Sequence, residues 1–234
     1  MTGALRAEGV DTSRLRTRPG PTAYAVVRHV DGDRVFGPND KGVSLFDPTP
    51  ADLDFVAGFD LVHSSHCSGL ESWLPALASR CRLSFDFDQR TDSYAEDLLP
   101  YAWVATFSGS SLSRRECEEL ARWAGARGPA HVFVTRGAHG AVAHDGHTVW
   151  SAARPVDVVD SLGAGDAFIG RALHGLLAAE PTEALLTAAA EAGSWACTTL
   201  GGFGHGRPLS PGMPFLPGVG RDGVPQRAAA GQAD

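Results

Sequence analysis

Several features that would place the chain in a membrane or on nucleic acid are missing from the sequence. Its 234 residues contain no apolar run long enough to cross a bilayer. The first residues lack the apolar stretch of a secretory signal, so a cytoplasmic location is expected. The net charge is −7, whereas a phosphate backbone needs a basic surface, so nucleic acid is not an expected partner. The four cysteines include no Cys-x-x-Cys pair, which gives no support for a disulfide or a structural metal site.

The sequence does contain an alternation of short apolar runs and helical stretches from Leu61 onward. The apolar runs predicted as strands are Leu61–His63, Leu83–Phe87, Trp103–Phe107, His131–Thr135 and Val156–Val159. The stretches predicted as helices are Glu71–Arg80, Ser113–Ala126, Ala164–Ala179 and Thr182–Leu200. Strands that alternate with helices predict an α/β fold with a mainly parallel sheet and helices on both faces.

Two segments interrupt this alternation with the pattern of an antiparallel hairpin. Thr22–Val30 and Arg34–Phe36 are β-rich and flank an Asp-Gly pair at 31–32. Ala141–Trp150 repeats the pattern around a second Asp-Gly pair, at 145–146. An Asp-Gly turn between two such runs is typical of a β-hairpin, so both segments are predicted to form one.

The composition changes near the end of the sequence. After Gly201 it is dominated by Gly, Pro, Arg and Ala, which cannot bury enough apolar surface to fold. We therefore expect one folded domain over residues 1–207 and a disordered tail over residues 208–234.

The most informative segment is Val158-Val-Asp160-Ser-Leu-Gly163-Ala-Gly165-Asp166. An apolar run ends at Asp160, small residues follow, and a helix is predicted to begin near Ala164. The unpaired N–H groups and the dipole at a helix start bind anions, and glycines let a phosphate approach the backbone. Asp166, in the first turn, is placed to take a proton from a hydroxyl that faces such a phosphate. These residues alone leave open the alternative that Asp166 only complements the helix dipole.

This segment resembles a signature of the PfkB (ribokinase-like) carbohydrate kinases, Asp-Thr-x-Gly-Ala-Gly-Asp, with Ser161 in place of the threonine. Upstream, Val134-Thr135-Arg136-Gly137-Ala-His-Gly140 resembles the Val-Thr-x-Gly-x-x-Gly segment that lines the nucleotide site in this family. The likeness extends from about residue 4 to Gly206 and is greatest to the fructoselysine 6-kinase type, through residues 32–37, 60–63 and 84–88. It implies a ribokinase-like three-layer α/β fold with a small β-lid over about residues 21–45.

The resemblance also implies roles for individual residues. Asp166 would be the catalytic base, and the backbone of Gly163, Ala164 and Gly165 would hold the transferred phosphoryl group. The implied nucleotide-binding residues are Thr135, Arg136, Gly137, Gly140, Asp160, Ser161, Gly193 and Cys197. ATP with Mg²⁺ would serve the reaction, a monovalent cation would lie near Asp160, and no side chain is predicted to ligate a metal directly.

The expected acceptor is a sugar or a sugar amine. By analogy with the family, Ala25 and Val27 of the lid face the sugar, although ordinary packing within the lid explains these two residues equally well. His63 follows a strand and so lies at the carboxyl edge of the sheet, where open α/β sheets bind ligands. A hydrogen-bonded structural histidine is the alternative there. The lid also fits the role of a homodimer interface.

Three differences from the family pattern bear on activity. The family's opening strand with its sugar-binding aspartate, and the Gly-Gly-x-x-x-Asn segment after it, are missing, so an N-terminally truncated version of the fold is expected. Ser108 and Ser111 stand where the family often has Asn-x-x-Glu, which leaves Mg²⁺ to contacts through water. Ser161 for threonine is conservative. The first two differences favour an alternative, a catalytically silent chain that binds nucleotide or a partner, whereas the intact Gly-Ala-Gly-Asp favours an active kinase.

Overall fold

The computed structural model describes residues 2–30 and 33–202. Within them the chain divides into two compact units, one ending at Phe46 and the other beginning at Asp47. The predicted tail, 208–234, and the turn residues Asp31 and Gly32 lie outside the described residues. None of the helices that these residues form has both the length and the apolar character needed to cross a bilayer.

The first unit contains a short helix and the first predicted hairpin. Helix α1 spans Thr2–Ala7, and strands β1 (Tyr24–Val30) and β2 (Asp33–Asp40) pair antiparallel. The strand pair is therefore confirmed, and β2 continues beyond the predicted end at Phe36. Its role as a lid stays a prediction.

The hairpin is irregular near the two residues predicted to face the sugar. Ala25 pairs with Asn39 and Val27 pairs with Phe36, so β2 carries one residue more than β1 between these pairs. A bulge of this kind accommodates Pro38, which has no N–H to offer to a regular ladder.

The second unit is built on a sheet whose strand order, within the described residues, is β3-β4-β5-β6-β7-β8. The strands are β3 (Leu61–Ser65), β4 (Arg82–Asp86), β5 (Val104–Ser108), β6 (His131–Thr135), β7 (Ala141–His144) and β8 (Thr148–Ser151). β3 to β6 are parallel, and β7 and β8 form the second predicted hairpin, antiparallel to β6. The mainly parallel sheet is therefore confirmed.

Helices cover both faces of this sheet. They are α2 (Pro50–Val56), α3 (Leu74–Ala78), α4 (Ser93–Leu98), α5 (Arg114–Gly125), α6 (Ala164–Leu177) and α7 (Thr182–Ala196). Because side chains alternate along a strand, Leu83 and Phe85 pack with α3, α4 and α5 on one face. Val104 and Phe133 pack with α6 and α7 on the other, which we call the α6/α7 face. Helices α2 and α4 were not predicted. Helix α3, which has Pro75 in its first turn, is shorter than the predicted helix Glu71–Arg80.

The fifth predicted strand, Val156–Val159, is wrong. The segment lies outside any strand, and Val158 and Val159 are exposed. The N–H groups of Val159 and Asp160 both donate to the carbonyl oxygen of Cys197, at 2.8 and 3.2 Å, at the end of α7. This valine-rich segment is therefore a loop, because the backbone N–H groups of Val159 and Asp160 bond to the end of α7 and not to a neighbouring strand.

Candidate active site

The start of α6 is shaped by Gly163, the residue just before the helix. Its backbone is left-handed, with φ 82° and ψ −1°, a conformation that side chains with a Cβ disfavour. A Cβ at this position would lie 2.2 Å from the carbonyl oxygen of Gly202. The fold itself therefore requires a glycine at position 163, whether or not a ligand binds beside it.

Gly165, two residues later, is in a different situation. Among the described residues, no heavy atom lies within 4 Å of the position that a Cβ would occupy there. Asp166 is also in the first turn of α6, and its side chain is exposed. The first turn of this 14-residue helix thus combines N–H groups without intrahelical partners, open space and an accessible carboxylate.

Asp160 holds the loop before α6 in place. Its side chain is only 9% exposed. One carboxylate oxygen accepts from the N–H of Leu162 at 2.9 Å and the other from the N–H of Gly201 at 3.1 Å. Hydrogen bonds to a charged acceptor are among the stronger ones, so Asp160 ties the segment after α7 to the loop that contains Ser161 and Gly163.

The predicted nucleotide-lining segment forms a tight turn after β6. Gly137–His139 makes a single 3₁₀ turn, and the N–H of Arg136 donates to the carbonyl of Gly140 at 2.7 Å. Gly140 has φ 94°, and a Cβ there would lie 2.0 Å from the carbonyl oxygen of Ser151. Gly137 also has a positive φ, but the space beside it is open. The fold therefore requires Gly140, whereas the surface beside Gly137 is open to a ligand.

The turns after β5 and β6 are joined to each other. The N–H of Gly109 donates to the carbonyl of Thr135 at 2.7 Å, and Arg136 donates through Nε to the carbonyl of Leu112. Ser108 lies at the end of β5 and Ser111 in the turn that follows, so both stand next to the segment 135–140. In the described part of the chain, no group of three or more His, Cys, Asp or Glu side chains is arranged to hold a metal ion.

A row of polar side chains crosses the sheet at β3, β4 and β5. His63, predicted to follow a strand, is instead the central residue of β3, and Asp86 is the last residue of β4. Nδ1 of His63 lies 3.1 Å from Oγ of Ser84, and Oγ1 of Thr106 donates to Oδ1 of Asp86 at 2.9 Å. The same Oδ1 accepts the N–H of Asp88 at 3.2 Å. By strand alternation all four residues of this row lie on the α6/α7 face.

Two members of the polar row, Ser84 and Thr106, were missed in the sequence. They are 0% and 2% exposed, respectively, and strands buried on both faces normally read as continuous apolar runs. The signal was present as polar residues at alternate positions within Leu83-Ser-Phe-Asp86 and Val104-Ala-Thr106. Only pairing of the two strands shows that these positions lie together.

His63 is positioned between the polar row and the start of α6. His63 keeps some solvent-exposed surface, but burial of its ring lowers the pKa of His63, and the charges of Asp86 and Asp166 oppose this effect. Both carboxylates therefore act on the same imidazole. His63 and Asp166 were predicted separately from the sequence, and in the structure they lie close enough for the charge of Asp166 to act on His63.

The remaining predicted residues lie on α7 and in the hairpin. A Cβ at Gly193 would lie 3.1 Å from the carbonyl oxygen of Ala164, so this glycine lets α7 approach the first turn of α6. Cys197 anchors the loop before α6 through its carbonyl, as described above. Ala25 and Val27 belong to the other unit, so their role in binding sugar stays a prediction.

A parallel sheet with a glycine-bounded helix start and an accessible aspartate at its carboxyl edge is a site suited to phosphoryl transfer. The comparison with known proteins specifies the class. The family model described as pfkB family carbohydrate kinase matches residues 1–204, so the chain belongs to this family. We therefore assign it to the ATP-dependent carbohydrate kinases.

Individual relatives agree with this assignment. Fructosamine kinase FrlD of Bacillus subtilis is 36% identical over 217 residues, covering 89% of this chain and 76% of that protein. Fructoselysine 6-kinase of Escherichia coli is 36% identical over 178 residues, covering 73% and 67%. The structure of Arabidopsis thaliana ribokinase complexed with ribose and ATP superposes with a TM-score of 0.72 over 87% of this chain and 74% of that one. At 20% identity this last likeness establishes the ribokinase-like fold alone.

Proposed function

We propose that the chain transfers the γ-phosphoryl group of ATP to a hydroxyl of a fructosamine, a sugar amine of the fructoselysine kind. The observation that carries the proposal is the first turn of α6, where Gly165 leaves open space beside the exposed carboxylate of Asp166. The acceptor class rests on the names of the two relatives at 36% identity, fructosamine kinase FrlD and fructoselysine 6-kinase.

Asp166 is proposed as the base. In the first turn of α6 its carboxylate lies beside the N–H groups that would face the phosphates, so a hydroxyl bound between them is within reach of both. Asp166 would take the proton of that hydroxyl as the new bond to phosphorus forms. Removal of the proton acceptor is expected to cost roughly a hundred- to ten-thousandfold in rate.

The backbone of Gly163, Ala164 and Gly165 is proposed to stabilise the charge of the transferred group. The N–H groups of the first helical turn lack intrahelical partners, and they are fixed before the substrate arrives because Asp160 and Gly163 hold the loop. Fixed donors need no reorganisation during the reaction, which is the main source of their catalytic effect.

The remaining nucleotide contacts are proposed along the turn after β6 and the end of α7. Thr135, Arg136, Gly137 and Gly140 would line the phosphates, with Asp160 and Ser161 beside them and Gly193 and Cys197 toward the base. Mg²⁺, held by the nucleotide's phosphates and water near Ser108 and Ser111, would supply charge neutralisation. A monovalent cation near Asp160 would share a carboxylate that already accepts two backbone N–H groups.

The acceptor is proposed to lie against His63 of β3, with Ala25 and Val27 of the hairpin as further contacts. The polar row behind His63 suits a polyhydroxylated ligand, because its hydrogen-bonding groups are held in place within the protein. The hairpin is also the proposed homodimer contact, which sedimentation of the full chain tests directly.

The decisive experiment measures ADP release with ATP, Mg²⁺ and fructoselysine, with a panel of free sugars for comparison. Asp166→Asn should keep the fold and most of the ATP affinity while the rate falls about a hundredfold or more. Asp157→Asn is the matched control, since Asp157 is an exposed aspartate outside α6 and should retain full rate. Equal rates for the wild type and Asp166→Asn would refute the role of Asp166. A wild-type chain that binds ATP but turns over none of the acceptors would favour a catalytically silent protein.

A further inference from the structure

Ser84 is a buried hydroxyl whose hydrogen bonding is limited to one group. It is 0% exposed, in the middle of β4, and its Oγ lies 3.1 Å from Nδ1 of His63. Within residues 2–30 and 33–202 this is the only hydrogen-bond partner of the Ser84 side chain. The pair His63–Ser84 joins two directly opposed residues of β3 and β4.

The hydrogen balance of this pair determines which imidazole nitrogen carries the proton. A serine hydroxyl has one hydrogen to donate, and a buried donor without an acceptor is costly. If Nδ1–H of His63 donated to Ser84, the hydroxyl hydrogen would have no acceptor. If the hydroxyl donates to Nδ1, every buried hydrogen is satisfied, and His63 is neutral with its proton on Nε2.

The charged groups around His63 act against this neutral form. Asp86 faces the ring from β4 and Asp166 from α6, and in the described chain these are the ionisable groups that act on it. Each carboxylate favours a protonated imidazole. Burial of the ring outweighs both carboxylates and lowers the pKa of His63 overall, which favours the neutral imidazole that a hydrogen bond from Ser84 to Nδ1 requires.

A neutral His63 matters because Asp166 is the proposed base. An imidazolium next to Asp166 would stabilise the carboxylate and so weaken it as a proton acceptor. A neutral imidazole leaves that carboxylate basic and has Nε2–H free to donate a hydrogen bond, and His63 keeps solvent-exposed surface in the fold.

We propose that Ser84 is a positioning residue that fixes His63 in the neutral Nε2–H tautomer, so that His63 donates a hydrogen bond to an oxygen of the acceptor sugar. This inference rests on the proposed kinase function and extends it to a specificity-determining pair behind the acceptor. Neither residue takes part in proton transfer. His63 binds the acceptor, and Ser84 acts through His63.

The first test is independent of activity. The ring nitrogens of ¹⁵N-histidine-labelled full-length protein are followed by NMR as the pH is varied. We expect His63 to show an unprotonated Nδ1 and a protonated Nε2 at neutral pH. In Ser84→Ala the pKa of His63 should rise, with a shift of the protonation equilibrium of roughly two- to tenfold, the worth of one hydrogen bond. A proton on Nδ1 in the wild type, or a pKa that is unchanged or lower in Ser84→Ala, would overturn the proposal.

Ser64→Ala is the matched control for this variant. Ser64 is 8% exposed on the adjacent strand β3, and its hydroxyl donates to Oγ of Ser68 at 2.9 Å and not to His63. Because both variants delete one buried serine hydroxyl, they should lose similar stability in urea unfolding. Only Ser84→Ala should change the titration of His63.

The second test separates acceptor binding from chemistry. With fructoselysine as the probe, Ser84→Ala and His63→Ala should raise the acceptor KM several-fold while the KM for ATP stays unchanged. The acid limb of the kcat/KM profile of Ser84→Ala should move to higher pH, because His63 then protonates earlier. Unchanged acceptor KM in His63→Ala would refute acceptor binding by His63 even if the NMR result holds. Absence of turnover in the wild type would count against the proposed function, while the NMR titration would still decide the role of Ser84.

Discussion

Gly163 and Gly165 belong to the same motif, but the structure predicts opposite consequences for their substitution. Gly165 is the second residue of α6, and a Cβ there would meet no described atom within 4 Å. A change of Gly to Ala within a helix stabilises a protein by roughly 0.5–1 kcal/mol. Gly165→Ala is therefore expected to fold at least as stably as the wild type.

The same methyl group would enter the space proposed for the phosphates. Forcing a methyl group into an occupied site costs about 1–3 kcal/mol, and about 1.4 kcal/mol corresponds to tenfold in binding or rate. We therefore expect Gly165→Ala to lose between roughly five- and one-hundredfold in kcat/KM for ATP. Gly165→Asp should lose more, because its carboxylate also repels the phosphates.

Gly163→Ala is the comparison that makes the result interpretable. Its left-handed backbone would cost about 1–2 kcal/mol with any side chain, and its Cβ would collide with Gly202, so it should be destabilised in urea unfolding. The assay pairs that unfolding curve with ATP titration and coupled ADP release for each variant. If Gly165→Ala and Gly165→Asp both bind and use ATP as well as the wild type, the phosphates do not lie at the first turn of α6.

Two further predictions concern carboxylates that hold the fold. Asp160→Asn replaces one acceptor oxygen by an NH₂ group that faces a backbone N–H, so urea unfolding should show a loss of about 1–3 kcal/mol; an unchanged midpoint would contradict this. Burial raises the pKa of Asp145, but hydrogen bonds from Thr182 and the N–H of His147, together with the charges of His131 and His147, outweigh it, and the net pKa is lowered. Its stabilising effect is therefore present above the pKa of the unfolded chain and lost as the pH falls through the folded pKa. The stability advantage of the wild type over Asp145→Asn should accordingly shrink below about pH 4, and an advantage that stays constant down to pH 2 would contradict it.

The sequence predicted the parallel part of the sheet because each of its strands is a short apolar run. Such runs are typical of strands covered by helices on both faces. Helix α5 lies within one residue of each end of the predicted Ser113–Ala126, and the structure shows a reciprocal cap between Ser113 and Glu116 at its start, with bonds of 2.7 and 3.3 Å. Helices α2 and α4 were missed because they are short, although each begins at a capping residue: the N–H of Thr49 donates to Asp52 at 2.7 Å, and Asp92 accepts from the N–H of Tyr94 at 3.1 Å.

The error at Val156–Val159 has a different cause. Three of its four residues are valines, which favour strands, but strand formation also needs a neighbour with unpaired backbone groups. The sheet ends at β8 within the described residues, and the carbonyl of Cys197, about forty positions away along the sequence, accepts the N–H groups of Val159 and Asp160 instead. A contact of that separation cannot be read from a local window.

The candidate site also has a part that a local stretch of sequence predicts and a part that depends on contacts between distant residues. The segment from Asp160 to Asp166 is contiguous, so its glycines, small residues and aspartate could be interpreted together from the sequence. The pairs His63–Ser84 and Asp86–Thr106 each join residues about twenty positions apart, brought together only by the parallel register of β3, β4 and β5. A motif therefore located the part of the site that is proposed to bind phosphate, whereas the polar row behind the proposed acceptor position required the strand pairing. Transfer of a phosphoryl group makes the same demands on the Asp160–Asp166 segment whatever the acceptor, so selectivity for the acceptor should be sought in such non-contiguous pairs, and first in His63 with Ser84.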